Sequence, residues 1–298
     1  MNSPSPTQPS AALAERLPIA VLRALPHHLL SALMRHATRV RLRAWKDWQI
    51  RWFIRRYGVD MGIACTSDLR SFTDFNAFFT RALRDGARPV CRGGAEVACP
   101  ADGELSEFGA IDHDTLLQAK ERSYSLTQLL GGDAARASAL SGGHFATIYL
   151  APRDYHRVHM PLAGTLREMI HVPGRLFSVN QVSARHVPCL FTRNERVVSM
   201  FDTAHGPLAV VLIGAMFVGS IEQVWAGEVA PACGAGLRVT RYPSAGRGAV
   251  TLAKGAEMGR FNMGSTVIVV LPPGPLSWHT RLTRGAATRF GEVLATLG

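Results

Sequence analysis

From Val90 onward the chain is written in short β-branched runs separated by glycine and proline, a pattern through which no long helix can be drawn. ATIYLA at 146–151, RVVSMF at 196–201, LAVVLI at 208–213, AVTLA at 249–253 and TVIVVL at 266–271 are the clearest runs. Turn signals about every 8–12 residues between them are the spacing of a compact β-rich domain. The longest uncharged apolar stretch, 207–221, falls short of the roughly 20 residues needed to span a bilayer. Its internal glycines predict two buried strands meeting at a bend. The final stretch, 277–297, reads as a short helix or a docked tail.

The first 90 residues have a different texture. Residues 1–15 are rich in Ser, Pro and Ala and read as a disordered tail without the pattern of a secretory signal. Residues 16–90 read as helical, with Pro18 and Pro26 near helix starts, and a short helix over 71–90 has Thr73 as candidate N-cap. In 39–57 (RVRLRAWKDWQIRWFIRRY), a turn of 100° per residue puts Ile50, Phe53, Ile54 and Tyr57 on one side. Trp45, Trp48 and Trp52 fall on the other, flanked by Arg41 and Arg56. One stripe can face the protein core while the other meets a lipid headgroup boundary, where tryptophan and arginine gather. The predicted fold class is therefore α+β: N-terminal amphipathic helices (16–90) followed by a β-rich, barrel- or sandwich-like domain (91–298).

Charge narrows the partners. With 33 Lys+Arg against 22 Asp+Glu the chain carries +11, which favours anionic surfaces. The arginines concentrate in the N-terminal helices and no nucleic-acid motif accompanies them, so an acidic lipid surface is the expected partner rather than nucleic acid. The five cysteines, Cys65, Cys91, Cys99, Cys189 and Cys233, form no C-x-x-C pair, which argues against a disulfide framework or a structural zinc site.

Few residues can carry chemistry. His156 and His159 in YLAPRDYHRVHMP (149–161) are general acid/base candidates, and the flanking prolines place them on a turn or short strand. Their spacing and the missing glutamate do not match the zinc-protease helix motif, and no metal is expected. Pro100-Ala101-Asp102-Gly103 reads locally as a turn. Asn180, Asn194 and Glu195 are polar residues beside turns. In FNMGST (261–266), Gly264 would let the backbone bend so that the Ser265 hydroxyl reaches the preceding carbonyl, provided a base takes its proton. Locally, the same residues are simply the start of a strand.

Taken together, FNAFFTRALRDGARPV, PADG, YLAPRDYHRVHMP, PGRLFSVN, NERVV, GSIEQVWAG and EMGRFNMGSTV, in this order between about Ile50 and Leu271, resemble the bacterial phosphatidylserine decarboxylase proenzymes. The family's cleavage motif usually reads Leu-Gly-Ser-Thr, and here Met263 stands in the leucine's place, a change that conserves volume and apolarity. The resemblance implies autocatalytic cleavage between Gly264 and Ser265, giving a β chain of 1–264 and an α chain of 265–298 that stay associated. It implies that Ser265 becomes a covalent pyruvoyl group, the only cofactor, which forms a Schiff base with phosphatidylserine and releases CO2 to give phosphatidylethanolamine. Asp102, His159 and Ser265 match the self-cleavage triad, and His156 matches the residue assigned to decarboxylation. A homodimer, held peripherally at the cytoplasmic side of the cell membrane, is also implied. Two rival readings make different predictions: a serine hydrolase using Asp102, His159 and Ser265 on an external substrate, and a basic adaptor without catalysis.

Overall fold

Seven consecutive residues, Ser265–Leu271, have no exposed surface, and the fold is arranged to keep them so. A computed structural model of the chain describes residues 27–119, 122–216, 220–230, 236–263 and 265–298. The expectations for the first fifteen residues, Pro18, Pro26, Cys233 and Gly264 therefore lie outside the described residues. Ser265–Leu271 pairs antiparallel with His144–Leu150 on one side and with Gly206–Ile213 on the other. The sheet around it runs Arg238–Arg241, Gly164–Val172, Arg196–Thr203, Gly206–Ile213, Ser265–Leu271, His144–Leu150, Gly103–Ala110, Ala287–Thr288.

Alternate side chains of the central strand enter two separate cores. Val267, Val269 and Leu271 join Val158, Ile221, Met258, Phe261 and Leu294, which come mostly from two smaller sheets laid over that face. Ile268 and Val270 join Leu126, Leu129, Ala184 and Phe191 from short helices on the opposite face. A strand buried on both faces has no polar face to show, which is why TVIVVL reads as an unbroken apolar run. The α+β class holds, with a sandwich of sheets on one side of the central sheet and helices on the other.

Three local expectations need correction. The C-terminal stretch is neither helix nor loose tail: Val293–Leu297 is the middle strand of a three-stranded sheet between Glu96–Ala98 and Leu276–Trp278. Leu294 and Ala295 are fully buried there. Only Thr251–Leu252 of the 249–253 run forms a strand. The helix in 71–90 is the single turn and a half Phe75–Phe79, and its cap is Asp74, whose carboxylate accepts from Ala77 N, not Thr73. Of the two strands expected in 207–221, Gly206–Ile213 forms, whereas the second, Ile221–Gln223, begins only at the last residue of that stretch, and 217–219 between them lie outside the described residues.

Helix Arg43–Tyr57 divides its two stripes as its sequence predicts. Ile50 and Phe53 are buried against Phe72, Phe75, Phe78 and Phe79. Trp45, Trp48 and Trp52 remain 42, 56 and 50% exposed. Lys46 is buried beneath the helix and donates to the carbonyls of Leu69 and Phe72 at 2.7 and 2.9 Å, tying the helix to the following loop. Gly58, at φ 67°, closes the helix with its N–H on Ile54 O. The preceding helix, His27–Thr38, is joined to the β-rich part through Arg35 and Arg39 on Glu228. Among the described residues no helix is long and apolar enough to cross a membrane.

Candidate functional site

Ser265 begins the central strand opposite Leu150 and is completely buried. Its Oγ makes no hydrogen bond, nor does Oγ1 of Thr266 beside it. Buried hydroxyls in folded proteins are nearly always paired, so two adjacent orphans mark a place prepared for something else. The approach to Ser265 is held by Asn262, which accepts from Asn76 Nδ2 at 2.9 Å, donates to Ser220 Oγ at 2.5 Å and donates its backbone N–H to Ser220 O. Between this anchor and the strand sits Met263, at φ 121°. A side-chain-bearing residue at such a φ is strained, typically by about 1–3 kcal/mol, and persists only where its surroundings hold it.

From Leu150 the chain leaves the sheet through a loop, 151–156, and returns in the short strand Arg157–His159. His156 and His159 lie three apart on extended chain and so take opposite environments. The His156 ring packs on Phe79 with centroids 4.1 Å apart, its Nδ1 shares a hydrogen bond with Asp154 O at 2.8 Å, and its Nε2 has no partner. Burial pushes His156 down to about 3, with the nearby Arg81 charge acting in the same direction, so the imidazole is neutral. His159 stacks on Phe290 at 3.7 Å and uses both ring nitrogens: Nδ1 with Gly255 O at 2.8 Å and Nε2 with the Tyr155 hydroxyl at 2.9 Å. Burial lowers its pKa too, against the opposing pull of the Gly255 carbonyl.

Asp102 is buried and fully occupied. Arg88 donates to both its oxygens, Nε at 3.0 and 3.2 Å and Nη2 at 2.7 Å, and Phe290 N donates to Oδ1 at 2.8 Å. Gly103 is required after it, because a Cβ there would stand 2.4 Å from Tyr149 O. Phe290 thus connects Asp102 to His159, giving its N–H to the first and its ring to the second. Neither Asp102 nor His159 makes a hydrogen bond to Ser265, whose Oγ is unpaired. Asp102, His159 and Ser265, expected as a triad, are therefore not linked to one another by hydrogen bonds among the described residues.

Several contributors escaped sequence reasoning. Arg88 sits in the ARPV that closes the first motif, and its pairing with a turn aspartate has no sequence signal. Tyr155 and Phe290 become visible only when strands distant in the chain meet. Asn180 and Asn194 turn out to be structural: Asn180 caps helix Gln181–His186, and Asn194 bridges Phe177 and Gly214. Glu195 is paired with His171 at 2.8 Å. An apolar cavity of about 200 Å³ opens beside the site, lined by Phe53, Tyr57, Phe79, Leu150, Pro152 and Met263 among others. It connects Met263 to the helical cluster behind the tryptophan face.

Comparison with known proteins bears on this arrangement directly. The phosphatidylserine decarboxylase family model matches residues 75–296, which contain every site residue above. The chain belongs to the phosphatidylserine decarboxylase family. A second family model, described as PSD, matches residues 17–58. The chain is 57% identical over 281 residues to a phosphatidylserine decarboxylase proenzyme of Pseudomonas aeruginosa, covering 94% of this chain and 97% of the relative. Proenzymes of the same name from Ectopseudomonas mendocina and Bordetella petrii are 54 and 56% identical, over 95 and 94% of this chain and 98 and 97% of theirs. The family motifs thus meet in space: Pro100 O of PADG accepts from His159 N, Arg157–His159 pairs with Glu257–Arg260, and Tyr149 and Leu150 lie opposite Thr266 and Ser265.

Proposed function

We propose that this member of the family is a self-cleaving phosphatidylserine decarboxylase, cut between Gly264 and Ser265. The observation that carries the proposal is the Ser265 hydroxyl, buried, unpaired and two residues after the strained Met263. In the first step Ser265 Oγ adds to the Gly264 carbonyl carbon, the C–N bond breaks, and the hydroxyl proton ends on the freed amine, converting amide to ester. Removal of the Ser265 Cα proton then expels Gly264 as a carboxylate and leaves dehydroalanine, which tautomerises and takes up water, losing ammonia to become pyruvoyl. His159, kept neutral by burial, is the base for the first proton, and Asp102 its orienting carboxylate. To act, His159 exchanges its Tyr155 hydrogen bond for Ser265, a change consistent with catalytic hydrogen bonds that tighten only along the reaction.

The residues present fit a pyruvoyl group: Ser265 begins a strand held on both edges, and the neighbouring polar atoms Thr266 Oγ1 and His156 Nε2 are unpartnered. When formed, the group supplies an electrophilic carbonyl for the lipid's amine and a sink for the electrons left by CO2 loss. His156, neutral and aimed by Asp154 O, is the proton carrier for the carbon that loses CO2. Residues 265–271 run antiparallel to both neighbours, which keeps the α chain in place once its covalent tether is gone. The exposed Trp45, Trp48 and Trp52 face, on a helix rich in arginine, would hold the site peripherally at the anionic cytoplasmic leaflet.

Intact mass under denaturing conditions, together with CO2 release from phosphatidylserine vesicles, tests the proposal. Two chains, the smaller starting at residue 265 with a blocked N-terminus, are expected, with turnover. An uncut chain carrying a free Ser265 would overturn it, and hydrolysis of an added ester by that uncut chain would favour the hydrolase instead. Replacing the three tryptophans with serine is expected to abolish cosedimentation with anionic vesicles while leaving cutting intact.

A further inference from the structure

Arg81 is 2% exposed, yet neither its Nε nor its Nη1 has a hydrogen-bond partner among the described residues. Among the described residues its one side-chain hydrogen bond runs from Nη2 to Arg153 O at 3.3 Å, and its guanidinium lies over the Phe78 ring at 5.5 Å. No carboxylate pairs with it among the described residues, although Asp102, Asp154 and Asp60 are near enough to stabilise its charge. Burial lowers its pKa, but an arginine stays charged in proteins, so a cation with unused N–H groups is buried here. Such an arrangement is costly unless an anion completes it.

Its surroundings say where that anion comes from. Arg81 follows Phe79, the ring on which His156 packs, and its charge is felt by His156. The carbonyl it holds belongs to the 151–156 loop, which starts at Leu150 opposite Ser265 and ends at His156. The apolar cavity beside the site is lined by Phe79, two residues before Arg81, and by Pro152, one residue before Arg153. The unused donors thus belong to a residue that holds the loop ending at His156 and whose charge reaches that histidine.

We infer that Arg81 receives the phosphodiester of the phospholipid headgroup, which its Nε and Nη1 groups bind while the serine amine is presented to the residue 265 end. This rests on the decarboxylase reading. The substrate headgroup carries two anions, and the chemistry separates them. The carboxylate loses its charge as it leaves as CO2, so a cation fixed on it would stabilise the ground state and slow the reaction. The phosphate keeps its charge throughout, so binding it anchors substrate and transition state alike. Arg81 is accordingly a binding residue whose loss raises KM and spares kcat.

Arg81→Met and Arg81→Lys test this in the full-length, self-cut enzyme. Both are expected to cut, by intact mass. KM for phosphatidylserine should rise about 10- to 100-fold in the methionine variant, less in the lysine one, with kcat nearly unchanged. Dihexanoyl phosphatidylethanolamine has the phosphate and lacks the carboxylate, so its dissociation constant by calorimetry should rise by the same factor. An unchanged constant for this product beside a raised KM would assign Arg81 to the carboxylate and overturn the inference. Unchanged KM and product binding in both variants would make Arg81 merely structural. Should the methionine variant fail to fold, the lysine variant decides by the same comparison. Absence of turnover in the unmutated enzyme would instead sink the decarboxylase reading.

Discussion

The two flanks of the 151–156 loop are built on opposite rules. On the Asp102 flank the carboxylate and the imidazole are both fully paired: Arg88 and Phe290 N on Asp102, Gly255 O and Tyr155 on His159. On the Ser265 flank the buried groups are left open, with Ser265 Oγ, Thr266 Oγ1, His156 Nε2 and two Arg81 nitrogens unpaired. Paired groups stabilise a fold, and unpaired buried groups cost free energy until a reactant or ligand completes them. The difference separates a flank that holds its shape from one that waits for chemistry. It also means that the proposed base, His159, starts on the satisfied side and has to be released from Tyr155.

The largest effect that would test this contrast is on cutting. Ser265→Ala should leave a folded, wholly uncut and inactive precursor, and processing in that variant would mean another serine is used. His159→Ala should slow cutting by about 10²–10⁴-fold, the usual worth of a general base, followed as the intact-mass ratio over time. Normal processing would place the base elsewhere and leave the satisfied flank purely structural. His156→Ala should be cut normally yet lose about 10²-fold or more in CO2 release.

A smaller effect concerns pH. Because burial holds His156 down to about 3 from 6.5, the unfolded chain binds a proton between those values that the folded chain excludes. Stability is thus undiminished above about pH 6.5 and falls as pH drops toward 3, by about 1.4 kcal/mol per pH unit from this group. Denaturant unfolding of the Ser265→Ala precursor across that range should show the slope, and His156→Gln should flatten it. The smallest effect is at Met263. Met263→Gly in the same precursor should be about 1 kcal/mol less destabilising than Met263→Ala, because both lose the packing on the phenylalanine cluster and only glycine relieves the strain. An equal or larger loss in the glycine variant would show that the backbone there is not strained.

Much of this molecule could be read from its residues. The run TVIVVL predicted a strand, and the two stripes of 39–57 predicted a helix with one face in the core and the other offered to a lipid headgroup boundary. These are periodic properties, decided by neighbours within a few residues. The C-terminal stretch was misread because Val293–Leu297 earns its strand from Glu96–Ala98 and Leu276–Trp278, partners that local pattern does not reveal. The site was legible only in part. Ser265, His159, His156 and Asp102 could be named by resemblance, whereas Arg88, Tyr155, Phe290 and Arg81 could not be placed around them.

What the sequence determined by itself was the α+β alternation, the exposed tryptophan face and the family, because each rests on residue type and order along the chain. What only the tertiary structure decided was which buried polar atoms are paired. That depends on where strands and loops from distant segments come to rest, and a hydrogen bond exists or fails over less than an ångström. Ser265 reads locally as the start of a strand. Folding buries its hydroxyl without a partner.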